Sequence, residues 1–215
     1  MGTAHRLAAR RRAMLRLERE FWARGLTRVA GLDEVGVGPL AGPLVAAAVI
    51  LPPEVSVRGI NDSKKLSPQT RERLAEEIRR CAVATAIGVV SVEEVDRLNV
   101  YHAALEGMRR ALSALPVAAE QLLVDARHIP GVDIPQMAIV KGDARSYSIA
   151  AASIIAKVAR DAMMRELDAL YPQYGFARHM GYGTRAHLEA LERYGPSPLH
   201  RRSFVVVCQP RLPGL

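Results

Sequence analysis

Apolar residues run unbroken from Leu44 to Leu51 and stop at Pro52-Pro53, the pattern of a strand covered on both faces. Shorter β-prone runs at Arg28–Asp33, Val83–Val90, Gln121–Asp125 and Met137–Val140 predict four more strands. Ser67-Pro68 opens a helix that reaches about Cys81, with proline in the first turn, where its missing N–H costs nothing. Ser91-Val92-Glu93-Glu94 resembles a capping box and starts the next helix, and a further helix spans about Val100–Leu115, before Pro116. The longest predicted helix covers about Ser146–Leu170. Its apolar stripe is Ile155, Ala159, Met163, Leu167 and Leu170, while Lys157, Asp161, Arg165 and Asp168 mark another face at three- and four-residue spacing. A loop rich in Gly, Pro and aromatic residues, Tyr171–Thr184, leads to a last helix, Arg185–Tyr194. Early strands followed by strands alternating with helices predict an α/β fold around a mixed sheet.

The N-terminal segment has a different character. Residues 5–28 hold eight Arg (6, 10, 11, 12, 16, 19, 24, 28) and only Glu18 and Glu20 as acids. Met14, Leu17 and Phe21 fall at helical spacing, which predicts a basic amphipathic helix docked by one face. Its charged side reads as a solvated face, as an arm that contacts nucleic acid, or as a transit peptide, which Glu18 and Glu20 fit poorly.

Composition narrows the classes. The 215 residues carry a formal net charge of +8 and are 49% apolar and 24% charged, which is ordinary for a globular protein of this length. The longest apolar run, about Leu40–Leu51, is too short to span a bilayer and holds Gly42 and Pro43. The two cysteines, Cys81 and Cys208, form neither a zinc spacing nor a disulfide framework, so a reducing cytoplasm is the expected location. The basic balance suggests a polyanionic partner.

The acids fall at strand ends. Asp33-Glu34 closes the first strand, Asp125 closes a later one, and Asp143 follows the last strand by three residues. Strand ends converge at the sheet edge where ligands of α/β proteins bind. Four carboxylates there would repel one another unless divalent cations lay between them, and an all-oxygen donor set suits Mg²⁺ or Mn²⁺. Two such ions form the clamp used in phosphodiester hydrolysis. The competing reading is that each acid caps a turn or a helix. The loop from Val35 to Pro43 carries Gly36, Gly38 and Gly42 and could bring backbone amides close to a sugar or phosphate. It is neither a Walker loop nor a dinucleotide fingerprint, and a tight connection between strands explains its glycines equally well.

Six stretches of the chain resemble bacterial ribonuclease HII, in that family's order. They are GLDEVGVGPLAGPLVAAAVIL at 31–51, NDSKKLS at 61–67, LLVDAR at 122–127, VKGDARSYSIAAASIIAKVARD at 140–161, YPQYGFARHMGYGT at 171–184 and HRRSF at 200–204. The resemblance covers about residues 28–205. It implies a ribonuclease H-like fold, a mixed five-stranded sheet flanked by helices with a small C-terminal helical part. On that division, 1–27 is the basic arm, 28–170 the catalytic core, 171–204 the substrate-contacting part and 205–215 a flexible tail without a clamp-binding motif. The implied activity is endonucleolytic: cutting the RNA strand of RNA–DNA hybrids and nicking duplex DNA 5′ to embedded ribonucleotides, leaving 5′-phosphate and 3′-hydroxyl ends. The implied ligands of two Mg²⁺ or Mn²⁺ ions are Asp33, Glu34, Asp125 and Asp143. Gly36, Val37 and Gly38 would read the ribose 2′-hydroxyl through their backbone, and Tyr182 would pack on the following sugar. Lys64 and Lys65 would touch phosphates, unless they form a solvated turn. Arg201 and Arg202 invite the same choice, with contacts inside the fold favoured. A monomer is expected, with nucleic acid as partner.

Two positions depart from the family pattern. Val37 and Met180 stand where a cation, Arg and Lys respectively, is usual, which predicts weaker phosphate binding and a flatter salt dependence. A non-catalytic hybrid-binding protein, or another nuclease on the same fold such as a junction resolvase or ribonuclease HIII, are the alternatives.

Overall fold

The computed structural model describes residues 3–55, 57–61 and 63–209. Five strands form one sheet: β1 (Val29–Val35), β2 (Leu44–Ile50), β3 (Ala84–Val90), β4 (Gln121–Asp125) and β5 (Gln136–Ile139). Their order is β3-β2-β1-β4-β5. β1 pairs antiparallel with β2 and parallel with β4, β2 with β3 is antiparallel and β4 with β5 parallel, so the predicted mixed five-stranded sheet is present.

The unbroken apolar run of β2 is explained by its two neighbours. Val45, Ala47 and Val49 point into a core shared with α3 (Pro68–Cys81) and α5 (Tyr147–Leu170). Ala46, Ala48 and Ile50 point the other way, toward Met108 and Ala111 of α4 (Val92–Ser113). Alternate side chains thus meet helices on opposite faces, and no position is left polar.

Local signals fix the helix ends. Ser67 accepts from the Thr70 amide ahead of Pro68, and the capping box at Ser91 and Glu94 is closed in both directions. The two helices expected on either side of Leu98 are one element bent at Asn99, whose φ is +63°. The Asn99 carboxamide oxygen accepts from the amides of Tyr101 and His102 and so starts the second half. On α5 the expected stripe is displaced. Burial is continuous from Tyr147 to Ala156, whereas Leu170 is 70% exposed, because only the first half of the helix lies between the sheet and α3. The C-terminal part comprises a turn at Pro172–Tyr174, α6 (Phe176–His179) and α7 (Arg185–Tyr194).

The N-terminal arm docks through Met14, Leu17 and Phe21, as their spacing predicts, but differs in its number of helices. The arm is two helices, α1 (Thr3–Met14) and α2 (Arg16–Trp22), and it is part of the core. Met14 and Leu15 pack with α3, α5 and β2, while Leu17 and Phe21 pack with Val29, Leu123 and Ile149. Glu18 is fully buried: its Oε1 accepts from the Ser146 hydroxyl (2.6 Å) and the Ser148 amide (2.9 Å), and so caps α5. At the other end, the residues expected to be flexible begin with a short helix, α8 (Val205–Cys208), because Val207 is buried against Leu40, Leu188 and Leu191. The rest of that tail, 210–215, lies outside the described residues. Among the described residues, no helix is long and apolar enough to cross a membrane.

Candidate active site

The parallel pairing of β1 and β4 brings their C-terminal ends side by side, and with them Asp33, Glu34 and Asp125. Asp143 arrives from a separate segment. After β5 the chain turns through Lys141, in the left-handed region at φ +56°, into a single 3-10 turn, Gly142–Ala144. The Gly142 amide donates to Asp125 Oδ1 at 2.6 Å and ties that turn to the end of β4. A Cβ on Gly142 would lie 2.6 Å from the Ile149 side chain and 3.1 Å from Asp125 Oδ1, so a larger residue would break this join. All four acids line one cleft of ≈ 590 Å³ with Ser63, Lys64, Arg71, Ser153, Lys157 and Tyr182.

The acids are held in different ways. Asp33 is buried, and its Oδ1 accepts from the Glu34 amide at 2.8 Å. Burial pushes its carboxyl well above the usual carboxylate range. Repulsion from Glu34 and Asp125 adds to the rise, and a Ser153 hydrogen bond partly offsets it. Glu34 is also raised, chiefly by burial, while the Arg127 guanidinium opposes the rise. Arg127 Nη2 lies 3.1 Å from Glu34 Oε1, and its guanidinium stands 5.1 Å from the centre of the Tyr101 ring. Glu34 Oε2 is buried without a hydrogen-bond partner among the described residues.

These observations bear on a divalent cation. The donors are carboxylate oxygens, an oxygen of Glu34 is unused, and the acids raise one another's proton affinity, which a cation between them would reverse. Among the described residues, no three His, Cys, Asp or Glu side chains are already gathered into a ligand cluster; Glu34 is held on Arg127 instead. The donors, carboxylate oxygens alone, suit Mg²⁺ or Mn²⁺ in kind, although the side chains are not drawn together around one point.

The glycine loop and the C-terminal part meet at the rim of the cleft. Tyr182 is 41% exposed, and its ring lies 3.7 Å from where a Cβ on Gly38 would sit. Gly36 is buried and Gly38 exposed. Val37 turns away to pack with Leu98 and Val100 on the cluster of Leu44 and Val90, and Met180 packs with Met164, Tyr174 and Phe176. Both departures from the expected cations are thus apolar contacts. Lys64 is exposed in a 3-10 turn beside the cleft, and the Lys65 side chain lies outside the described residues.

Histidines hold the Tyr182 segment from below. His187 Nδ1 donates to the Tyr182 carbonyl (2.9 Å), His200 Nε2 donates to His187 Nε2 (3.0 Å), and His200 Nδ1 accepts from the Ser197 amide and hydroxyl. A carbonyl can only accept, so the order of protons along this chain is fixed. Burial pulls the pKa of His187 and of His200 down to about 4.

Arg127, two residues beyond Asp125, lies just past a strand end, and that place is the sequence signal for a group at the cleft. The burial of His187 shows in no sequence pattern. The Arg201 side chain is fully buried and bonded inside the fold, as expected, whereas Arg202 is exposed and only its backbone amide binds Asp96. Asp161 pairs with Lys157 at 2.7 Å, as the spacing suggested, and also with Arg71 at 3.6 Å.

Comparison with known proteins shows the family and the fold. The model of the ribonuclease HII family matches residues 30–207. The ribonuclease HII of Geobacillus kaustophilus (strain HTA426) is 55% identical over 203 residues, covering 94% of this chain and 78% of that protein. That of Myxococcus xanthus (strain DK1622) is 55% identical over 199 residues, covering 92% and 68%. Among solved structures, ribonuclease HII of Archaeoglobus fulgidus, determined in a complex with PCNA, superposes with a TM-score of 0.73 at 30% identity, over 86% of this chain and 97% of that one. Ribonuclease H2 of Pyrococcus horikoshii OT3 gives 0.70 at 26% identity, over 85% and 96%.

Proposed function

Because the chain belongs to the ribonuclease HII family, metal-dependent ribonucleases acting on RNA–DNA hybrids, we propose that it also nicks duplex DNA 5′ to a single embedded ribonucleotide. The observation that carries this reading is the cleft itself: Asp33, Glu34, Asp125 and Asp143 line it together with Tyr182, beside the glycine loop.

Asp33, Glu34, Asp125 and Asp143 would hold two divalent cations, Mg²⁺ or Mn²⁺. The chemistry such ions supply is activation of water for attack on phosphorus and stabilisation of charge on the departing 3′ oxygen. The protein's own part is to position and to discriminate. The rigid ends of β1 and β4 fix Asp33, Glu34 and Asp125, and the Asp125–Gly142 hydrogen bond fixes the turn that carries Asp143. Arg127 orients Glu34. The backbone of Gly36–Gly38 would meet the ribose 2′-hydroxyl and the Tyr182 ring the next sugar, so that a deoxyribose lacks a contact. Lys64, and Lys65 beside it, would steady the phosphate backbone. Products would carry 5′-phosphate and 3′-hydroxyl ends.

The test uses three duplexes with Mg²⁺ or Mn²⁺: DNA with one ribonucleotide, an RNA–DNA hybrid, and all-DNA. Cutting of the first two and not the third is expected. Asp33→Asn and Asp125→Asn, folded by circular dichroism, should cut at least 100-fold more slowly. Either variant cutting at the wild-type rate would sink the assignment.

A further inference from the structure

Two arginines have no salt bridge among the described residues and yet are fully buried. Arg160, on α5, donates from Nε to the Pro43 carbonyl (2.9 Å), from Nη1 to Met180 (2.9 Å) and from Nη2 to Ala41 (3.0 Å). Arg201 donates from Nε and Nη2 to the Gly42 carbonyl (3.1 and 2.8 Å) and from Nη1 to Val37 (3.3 Å). Every acceptor is a backbone carbonyl, and all lie in two segments: the glycine loop and the turn that precedes Tyr182.

Burying a guanidinium is costly unless its donors are satisfied. Arg160 is satisfied only when both segments are in place, since two of its bonds go to the loop and one to Met180. Arg201 is pulled down to about 10 by burial and by the nearby Arg160 charge, so the two cations also repel each other. Displacing either segment would leave buried N–H groups unpaired. The backbone adds direct ties: the Leu40 amide donates to the Gly181 carbonyl (2.8 Å) and the Arg201 amide to the Leu40 carbonyl (2.9 Å). The fit is tight as well. Gly36 sits at φ +100°, and a Cβ there would lie 2.5 Å from Arg160 Nε.

We infer that Arg160 and Arg201 are positioning residues: Arg160 locks the glycine loop to the turn that precedes Tyr182, Arg201 braces the loop itself, and together they set the slot in which the enzyme distinguishes ribose from deoxyribose. Neither touches substrate. The inference rests on the proposed roles of Gly36–Gly38 and Tyr182. Lysine keeps the charge but lacks the planar fork, so it cannot reach three carbonyls in fixed directions.

The experiment is a double-mutant cycle with Arg160→Lys, Tyr182→Ala and the pair, with Arg201→Lys alongside, measured on duplex DNA with one ribonucleotide. Arg160→Lys is expected to lower kcat about 10- to 100-fold, as small misplacements of positioned groups do, with KM within about twofold. In the Tyr182→Ala background the same change should cost less than about threefold, because the group it positions is gone. Equal costs in both backgrounds, or a Lys variant with wild-type kcat, would overturn the inference. Failure of the wild type to cut counts against the proposed function instead. Amide exchange on the wild-type protein decides the matter even where a Lys variant does not fold. The amides of Leu40, Gly42 and Met180–Tyr182 should lose protection in one cooperative step, and separate steps for the two segments would refute a single unit.

Discussion

At the scale of single residues, two sets of buried groups oppose each other in pH. His187 and His200 sit near 4 in the fold against about 6.5 when unfolded. The unfolded chain therefore binds more protons between these values, and stability falls as pH drops from about 6.5 to about 4. Melting temperatures across that window should decline on acidification, and the decline should shrink in His200→Asn. An unchanged slope in that variant would mean the pair does not titrate as described. Asp33 and Glu34 have the opposite sign: their carboxyls are raised, so the metal-free protein loses stability as pH rises above about 4. Placing Asp33, Glu34 and Asp125 at strand ends was legible in the sequence, because strand ends are read from apolar runs that stop. The His187–His200 pair was not, since two histidines 13 residues apart meet only after α7 folds back.

At the scale of elements, caps carried most of what could be read. Ser67, Ser91 and Glu94 act on amides within three residues, so local sequence contains the whole interaction. Glu18 is also a cap, but for a helix whose start lies 128 residues away, and nothing near residue 18 announces it. The displaced stripe of α5 has a similar origin: Ala150, Ala151 and Ala152 are buried on every side between two layers, so amphipathic spacing has no meaning there. These facts change how the basic arm can be tested. Removing residues 1–26 takes away the cap and four core side chains along with the charge. Glu18→Ala alone should cost about 1–3 kcal/mol, from the two donors it leaves unpaired. That is a fall in melting temperature of roughly 3–10 °C for a chain of this size. Arg12→Ala and Arg19→Ala, both exposed, on α1 and α2, should leave the melting temperature within about 1 °C and so isolate the charge. A weaker salt dependence of KM in those two variants is the expected sign of phosphate contact.

At the scale of the whole molecule, the net charge of +8 conceals a local excess of negative charge in the cleft. Mutual repulsion there makes the fold a better cation binder than its unfolded chain, so divalent ions should stabilise it by mass action. Millimolar Mn²⁺ should raise the melting temperature by several degrees, whereas Asp33→Asn should start higher without the ion and respond less to it. A wild-type protein indifferent to Mn²⁺ and Mg²⁺ would contradict this. The Glu18 cap has a consequence for the order in which the molecule is made. Helices α1 and α2 leave the ribosome before the strands and α5, but the hydroxyl and amide that Glu18 receives belong to Ser146 and Ser148. The apolar faces of Met14, Leu15, Leu17 and Phe21 must likewise wait for α5 or for the later strands. The Glu18 cap thus closes only on a chain whose five strands have all been made, although the residue itself precedes every one of them.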